Sequence, residues 1–344
     1  MKKKKLLLEE NKSKTMNIGI IGIGRIGKIH LTNCLSHFGQ VHVVAVMNPS
    51  LAGQEFAKKM GVATVSSDPG EVLENPDIQA VLICSSTDSH AEHVEAAALE
   101  GKAIFCEKPM DLSIDRVRKT LEIVKECNVP LMLAFNQRFD PNFADVRQRV
   151  QSGLIGNIRS LHIISRDPGP PPISYIKKSG GMLMDMTIHD FDMARFQMGC
   201  EVTQVYARGG NVVSPAIAKA GDIDFAAVML TFENGATALI ENCREAAYGY
   251  DQRLEVFGSK GMIRTENPLK TTNRFSGENG THSARNLDFF MDRYAESYRL
   301  ELKAFFDALQ NNEVMPATGD DGLKAMEIAE AAYRSIHENR PIDL

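Results

Sequence analysis

The segment Ile18-Gly19-Ile20-Ile21-Gly22-Ile23-Gly24-Arg25-Ile26-Gly27 decides the fold. A short apolar strand runs into three glycines at G-x-G-x-x-G spacing, and a helical pattern opens behind them. Gly22 permits a tight turn, Gly24 lets a pyrophosphate approach the backbone, and Gly27 lets helix and strand pack closely. The N–H groups at the helix N-terminus then face the phosphates. The spacing alone is a weak signal. Placed after the first strand of a strand-helix-strand unit, it predicts dinucleotide binding by Gly22, Gly24, Arg25, Ile26 and Gly27 rather than a merely tight turn.

Working outward, Ile18 to Ile21, Val41 to Val46, Ala80 to Ser85, Ala103 to Phe105 and Leu131 to Ala134 are nearly continuous apolar runs. Strands look like this when helices cover both faces of a parallel sheet. Helical stretches lie between them at Ile26 to Phe38, Gln54 to Met60, His90 to Glu100 and Ser113 to Cys127. The alternation predicts a doubly wound α/β domain over residues 16–136. Beyond it the rhythm changes. A helix over Asn142 to Gln151, a strand over Ile158 to Ser165, a Pro/Gly-rich loop at Asp167 to Pro172 and a long helix over Met182 to Met198 come first. Strands then follow at Val202 to Arg208, Phe225 to Phe232, Ala236 to Asn242, Leu254 to Gly258 and Met262 to Thr265. Short turns such as Glu233-Asn234-Gly235 make antiparallel neighbours. Residues 137–344 are therefore expected to form an α+β domain on a large, mostly antiparallel sheet, ending in helices over Leu287 to Leu309 and Gly319 to Asn339.

Composition narrows the function. The 344 residues carry 39 Lys+Arg against 44 Asp+Glu, and six of the lysines fall in the first fifteen residues, so the rest is markedly acidic. A nucleic-acid module needs the opposite sign. No window approaches the roughly 20 apolar residues of a membrane span. The leader, residues 1–15, has a charged start but only Leu6-Leu7-Leu8 as an apolar run, too short for a signal peptide. It reads as a disordered extension or a start-site artefact before Met16. Six cysteines are scattered without C-x-x-C or zinc spacing, which suits reduced thiols in the cytoplasm and gives no metal site.

Three further positions bear on chemistry. An acid is expected at the end of the second strand to hold a ribose hydroxyl, but the chain has Asn48 there. Asn can accept that bond through its carbonyl yet lacks the charge that repels a 2′-phosphate, so NAD is expected with NADP as an alternative. Phe105-Cys106-Glu107-Lys108-Pro109 ends a parallel strand, where ligands of such sheets bind. Lys108 can there bond a hydroxyl and stabilise charge on its oxygen, or simply pair with Glu107. Finally, Asp185, His189 and Asp192 share a face of the long helix at i, i+4 and i+7. A carboxylate beside an imidazole makes a base suited to deprotonating an alcohol. A salt-bridged surface and a metal site remain open for the same residues.

The glycine loop, the E-K-P and the D-x-x-x-H, in this order and spacing, resemble the glucose-fructose oxidoreductase/inositol dehydrogenase (Gfo/Idh/MocA) family from Met16 to the end. Ile164-Ser165-Arg166-Asp167-Pro168, Asp185 to Phe196 and Tyr248-Gly249-Tyr250-Asp251-Gln252-Arg253 resemble its bacterial inositol 2-dehydrogenases in particular. The resemblance implies a Rossmann dinucleotide-binding domain and NAD-dependent oxidation of myo-inositol at C2 to scyllo-inosose, as in inositol catabolism. It further implies a catalytic set of Lys108, Asp185 and His189, with His189 taking the hydroxyl proton. Arg138, Tyr248 and Tyr250 would line the polyol pocket with them, and Ser85, Thr87, His90, Glu107 and Lys108 would meet the cofactor. A homotetramer is implied as well. A dehydrogenase of another cyclitol or sugar, and a non-catalytic nicotinamide-binding sensor, are the rival expectations.

Overall fold

The computed structural model describes residues 15–344. The expected leader lies outside them except for Thr15. Two compact units divide the described residues: 15–134 with Leu302–Gly319, and Phe135–Glu301 with Asp320–Leu344. The first break falls two residues before the expected one. The return of Leu302–Gly319 to the first unit was not anticipated. Its cause is aromatic packing, since Phe305 stands edge-on to Phe105 and Phe306 to Phe38.

The first unit carries β1 (Met16–Ile21), β2 (Val41–Met47), β3 (Thr64–Ser66), β4 (Ala80–Ile83), β5 (Ala103–Glu107) and β6 (Leu131–Ala134) in one all-parallel sheet of order β3-β2-β1-β4-β5-β6. Strand order reverses between β1 and β4, which opens a crevice at their carboxyl ends. Ile18, Ile20, Ile21, Ala80, Val81, Leu82 and Ile83 are wholly buried, as their unbroken apolar runs require. The expected helices are present within a few residues, at Arg25–His37, Leu51–Lys59, Thr87–Leu99 and Ile114–Cys127. β3 was missed because Thr-Val-Ser is too short to show a period.

In the second unit β7 (Ile158–Arg166), β8 (Val202–Gly210), β9 (Phe225–Phe232), β10 (Thr237–Cys243), β11 (Asp251–Gly258), β12 (Gly261–Arg264) and, after the small β13 (Arg274–Gly277) and β14 (Gly280–Ser283) hairpin, β15 (Ile342–Asp343) appear. The large sheet has the order β12-β11-β7-β10-β9-β8-β15. Only β7 and β10 run parallel, so the expected mostly antiparallel sheet is present. Alternation sorts its faces. Leu161, Ile163, Ala238, Ile240, Val228 and Leu230 turn inward and are buried, whereas Met229, Leu239, Phe257 and Met262 turn outward and are 40–49% exposed.

The long helix differs from expectation in one respect. Leu183–Thr187 is a π-turn, and the α-helix proper runs over Ile188–Met198. Its start is pinned from elsewhere in the unit. The Met182 N–H donates to Asp222 Oδ1 (3.0 Å) and the Leu183 N–H to the Tyr333 hydroxyl (3.2 Å). Gly181 (φ +81°) is required there, because a Cβ would lie 2.5 Å from that hydroxyl.

Candidate active site

The three glycines lie at the carboxyl end of β1. Gly22 has φ +93°, and a Cβ on it would stand 2.5 Å from the Cys84 carbonyl oxygen. A Cβ on Gly27 would stand 2.0 Å from the Gly22 oxygen. Gly24, by contrast, is exposed, and a Cβ there would meet no protein atom within 4 Å. The helix behind it starts at Arg25, with no acid in its first turn and no side-chain cap. Its leading N–H groups are thus available to an anion, and the loop fits a dinucleotide diphosphate. Gly27→Ala is expected to cost about 2 kcal/mol through overpacking and to weaken NAD binding at least tenfold, as read by melting and cofactor titration.

Asn48 is not spare for the ribose in the way its carbonyl suggested. The side chain is 6% exposed and its Oδ1 accepts from the Ile23 N–H (2.7 Å), which ties the glycine loop to the end of β2. Its Nδ2 donates to the Ser50 carbonyl (3.1 Å) and hydroxyl (2.8 Å). Both ends of the amide are used, which explains an amide at this position. Asn48→Asp should keep the Ile23 bond, lose the donations to Ser50, and bring a negative charge beside the ribose position. We expect NADP kcat/KM to fall more than NAD kcat/KM, through like-charge repulsion of the 2′-phosphate. The assay is kcat/KM for both cofactors on parent and variant. A parent that already rejects NADP by more than about 10³-fold, equal to about 4 kcal/mol, removes charge here as the discriminator.

Ser85 and Thr87 sit past β4, with Thr87 opening the helix Thr87–Leu99. His90, expected in the loop that covers the cofactor, turns its side chain into the protein. It is 2% exposed, with Nδ1 2.8 Å from the Pro109 carbonyl oxygen and Nε2 3.0 Å from that of Ser85. The imidazole is a clamp between the ends of β4 and β5, and it fixes the turn that carries Lys108. Glu107 turns to a residue the sequence did not single out, His30, with 2.8 Å between Oε1 and Nε2. Lys108 is half-buried just beyond β5.

In the second unit Asp185 and His189 are half-buried, one turn apart, on the π-turn and the helix that continues it. Asp185 Oδ1 accepts from the Tyr175 hydroxyl (2.8 Å). The His189 ring stands edge-on to Phe135, with centroids 6.2 Å apart. The other acids of the helix are directed elsewhere. Asp192, expected on the same face, is buried and accepts from Arg138 Nε (2.8 Å) and Nη2 (2.5 Å). Asp190 is wholly buried, between the Ser165 hydroxyl (2.7 Å) and Asn242 Nδ2 (2.6 Å). Ser165 and Asn242 are register partners of β7 and β10.

Three expected polyol ligands are placed differently from one another. Arg138 is 8% exposed, and its guanidinium is engaged by Asp192 and by Asp321 (3.0 Å). Burial alone lowers a guanidinium pKa, but these two carboxylates outweigh it and raise that of Arg138. Tyr248 and Tyr250 lie between β10 and β11. β11 begins after them, and Gly249 between them has φ +110°. Tyr248 is therefore exposed, accepting from Arg166 Nη1 (2.6 Å) and donating to Asp251 Oδ2 (2.6 Å) beside the outward-facing Glu241. Tyr250 is buried against Phe289 and Tyr294, and its phenol is pushed well up by burial and by Tyr294.

Residues 16–135 match the model of an oxidoreductase family with an NAD-binding Rossmann fold, and residues 143–264 match the GFO/IDH/MocA C-terminal domain. Myo-inositol 2-dehydrogenase of Thermotoga maritima is 45% identical over 330 residues, 96% of this chain and 98% of that one. A crystal structure of a myo-inositol dehydrogenase from Corynebacterium glutamicum has a TM-score of 0.92 at 38% identity, over 96% of this chain and 99% of that one. Scyllo-inositol dehydrogenase from Lactobacillus casei, crystallised with NAD(H) and scyllo-inositol, has a TM-score of 0.89 at 32% identity, with the same coverage.

Proposed function

The chain belongs to the GFO/IDH/MocA oxidoreductase family and binds NAD through its Rossmann domain, and from that premise we propose that it oxidises myo-inositol at C2 to scyllo-inosose, in inositol catabolism. One observation carries the reading. Of the acids on the helix of the second unit, Asp185 alone stands half-buried a turn from His189, while Asp190 and Asp192 are buried and bonded away. A half-buried carboxylate and imidazole at that spacing support a reading in which the pair acts on a hydroxyl.

His189 takes the hydroxyl proton as the C2 hydrogen leaves with its electron pair, so alcohol becomes ketone. The nicotinamide, when bound, accepts that hydride. Asp185 accepts a hydroxyl hydrogen bond and favours the imidazolium that forms. Lys108 donates to the reacting oxygen and offsets its developing negative charge. Tyr175, bonded to Asp185, holds that carboxylate in place. Arg138 acts through Asp192 as part of the helix's support. Polyols offer only hydroxyls, so discrimination must come from such hydrogen bonds.

The test is a panel of myo-inositol, scyllo-inositol, other cyclitols and aldoses, followed by NADH absorbance. The reading expects myo-inositol to give the highest kcat/KM. A preference for scyllo-inositol or a sugar reassigns the substrate within the family, and no turnover with any polyol would favour a sensor. The outward apolar residues Met229, Leu239, Phe257 and Met262 support a homotetramer built on the sheet face, to be read by light scattering. The six cysteines form no disulfide, which supports a cytoplasmic location.

A further inference from the structure

Arg244 has the largest side chain among the fully buried described residues, and no sequence motif drew attention to it. It follows β10, where its N–H donates to the Asp224 carbonyl (2.9 Å). The guanidinium is 1% exposed and faces three carboxylates of the same unit. Nη2 lies 3.6 Å from Asp185 Oδ2 and 3.8 Å from Asp222 Oδ2, and Nη1 lies 4.0 Å from Asp167 Oδ2. A guanidinium keeps its charge at any physiological pH. Such a cation in an interior is tolerated only where carboxylates surround it.

Its place in the fold has a geometric logic. Asn242 and Arg244 are two residues apart, so along the strand direction they present the same face. Asn242 bonds Asp190, and Arg244 faces Asp185, five residues earlier on the helix. A two-residue strand step of about 7 Å matches the rise of five helical residues, about 7.5 Å. The end of β10 thus supports two acids five residues apart. Asp222 completes the support, since its Oδ1 holds the Met182 N–H where the π-turn starts while its Oδ2 faces Arg244. Asp185 is held from both sides, by the Tyr175 hydroxyl on Oδ1 and by the Arg244 cation near Oδ2.

We infer that Arg244 is a positioning residue of the dehydrogenase, whose buried cation fixes the Asp185 carboxylate and the π-turn that presents it beside His189. The inference rests on the reading of Asp185 as one of the reacting pair. Arg244 acts through Asp185 and touches no substrate. Its effect must therefore vanish when Asp185 loses its charge.

A double-mutant cycle on the full chain decides it, using Arg244→Lys, Arg244→Gln and Asp185→Asn, with kcat, polyol KM and NAD dissociation constant measured for each. Arg244→Gln should lower kcat about 10²-fold, the cost of a misplaced reacting group, and Arg244→Lys about tenfold because the charge remains without the planar fork. NAD affinity should stay within about threefold of the parent, since the glycine loop is untouched. In the Asp185→Asn background Arg244→Lys should change kcat less than twofold. Equal losses in both backgrounds, or parental kcat in Arg244→Lys and Arg244→Gln alike, overturn the inference. Should Arg244→Gln not fold, the Lys arm of the cycle is sufficient by itself: tenfold loss confined to the Asp185 background supports the inference, and anything else overturns it. A parent without polyol-dependent NAD reduction refutes the dehydrogenase reading itself, and the inference with it, which is distinct from an active parent with additive losses.

Discussion

Replacing His189 with alanine is expected to lower kcat by about 10²–10⁴-fold, the range for loss of a positioned general base. The NAD dissociation constant should scarcely move. The reason lies in where the residue sits. His189 stands on the helix of the second unit, against Phe135, whereas the glycine loop, Asn48 and the β4 and β5 ends belong to the first. An interaction made only in the transition state lowers kcat and kcat/KM together and leaves ground-state binding alone. Steady-state kinetics with a fluorescence titration of NAD check this. Turnover at the parental rate would remove His189 from the mechanism.

The second large effect concerns stability. Asp190 is fully buried, and burial pushes its carboxyl up to about 7 against the lowering pull of the Ser165 and Asn242 hydrogen bonds. In the unfolded chain an aspartate titrates near its ordinary value, about 3.9. Between about pH 4 and pH 7 the native protein thus holds a proton that the unfolded chain has released. Stability from this group is fully present below that window and lost as pH rises through 7. The loss is on the order of 4 kcal/mol for a shift of about three pH units. Asp190→Asn removes the titration. Asn242 Oδ1 accepts no hydrogen bond, so turning that amide over would satisfy the new amide at 190. The variant should match the parent near pH 4 and exceed it in stability at pH 8 by up to a few kcal/mol. Urea melts at both pH values measure the difference. An equal pH dependence in parent and variant would show that Asp190 titrates alike folded and unfolded.

Much of this was legible in the chain. Gly22 and Gly27 could be read because a backbone at φ +93° and a 2.0 Å approach admit no other residue. The buried parallel strands could be read because both their faces are covered, which leaves unbroken apolar runs such as Ala80 to Ile83. The π-turn over Leu183–Thr187 could not, because its extra backbone residue leaves no periodic mark in five residues. Arg244, Asp222 and Asp185 meet only after distant segments pack, so neither the cation nor its carboxylates form a motif. Gly249, at φ +110°, separates an exposed Tyr248 from a buried Tyr250, a divergence that residue type and spacing do not show. The contacts of the buried His90 ring with the Pro109 and Ser85 carbonyl groups likewise leave no mark in the sequence.

The central claim is hydride removal from C2 of a cyclitol by the pair on the π-turn helix. Incubation of the enzyme with NAD and myo-inositol deuterated at C2 tests it most directly, with the products read by mass spectrometry and NMR. The account predicts deuterium on the reduced nicotinamide, a ketone at C2, and about 10²-fold or greater slowing of both in His189→Ala. Deuterium retained in the polyol product, or a ketone at another carbon, would contradict it.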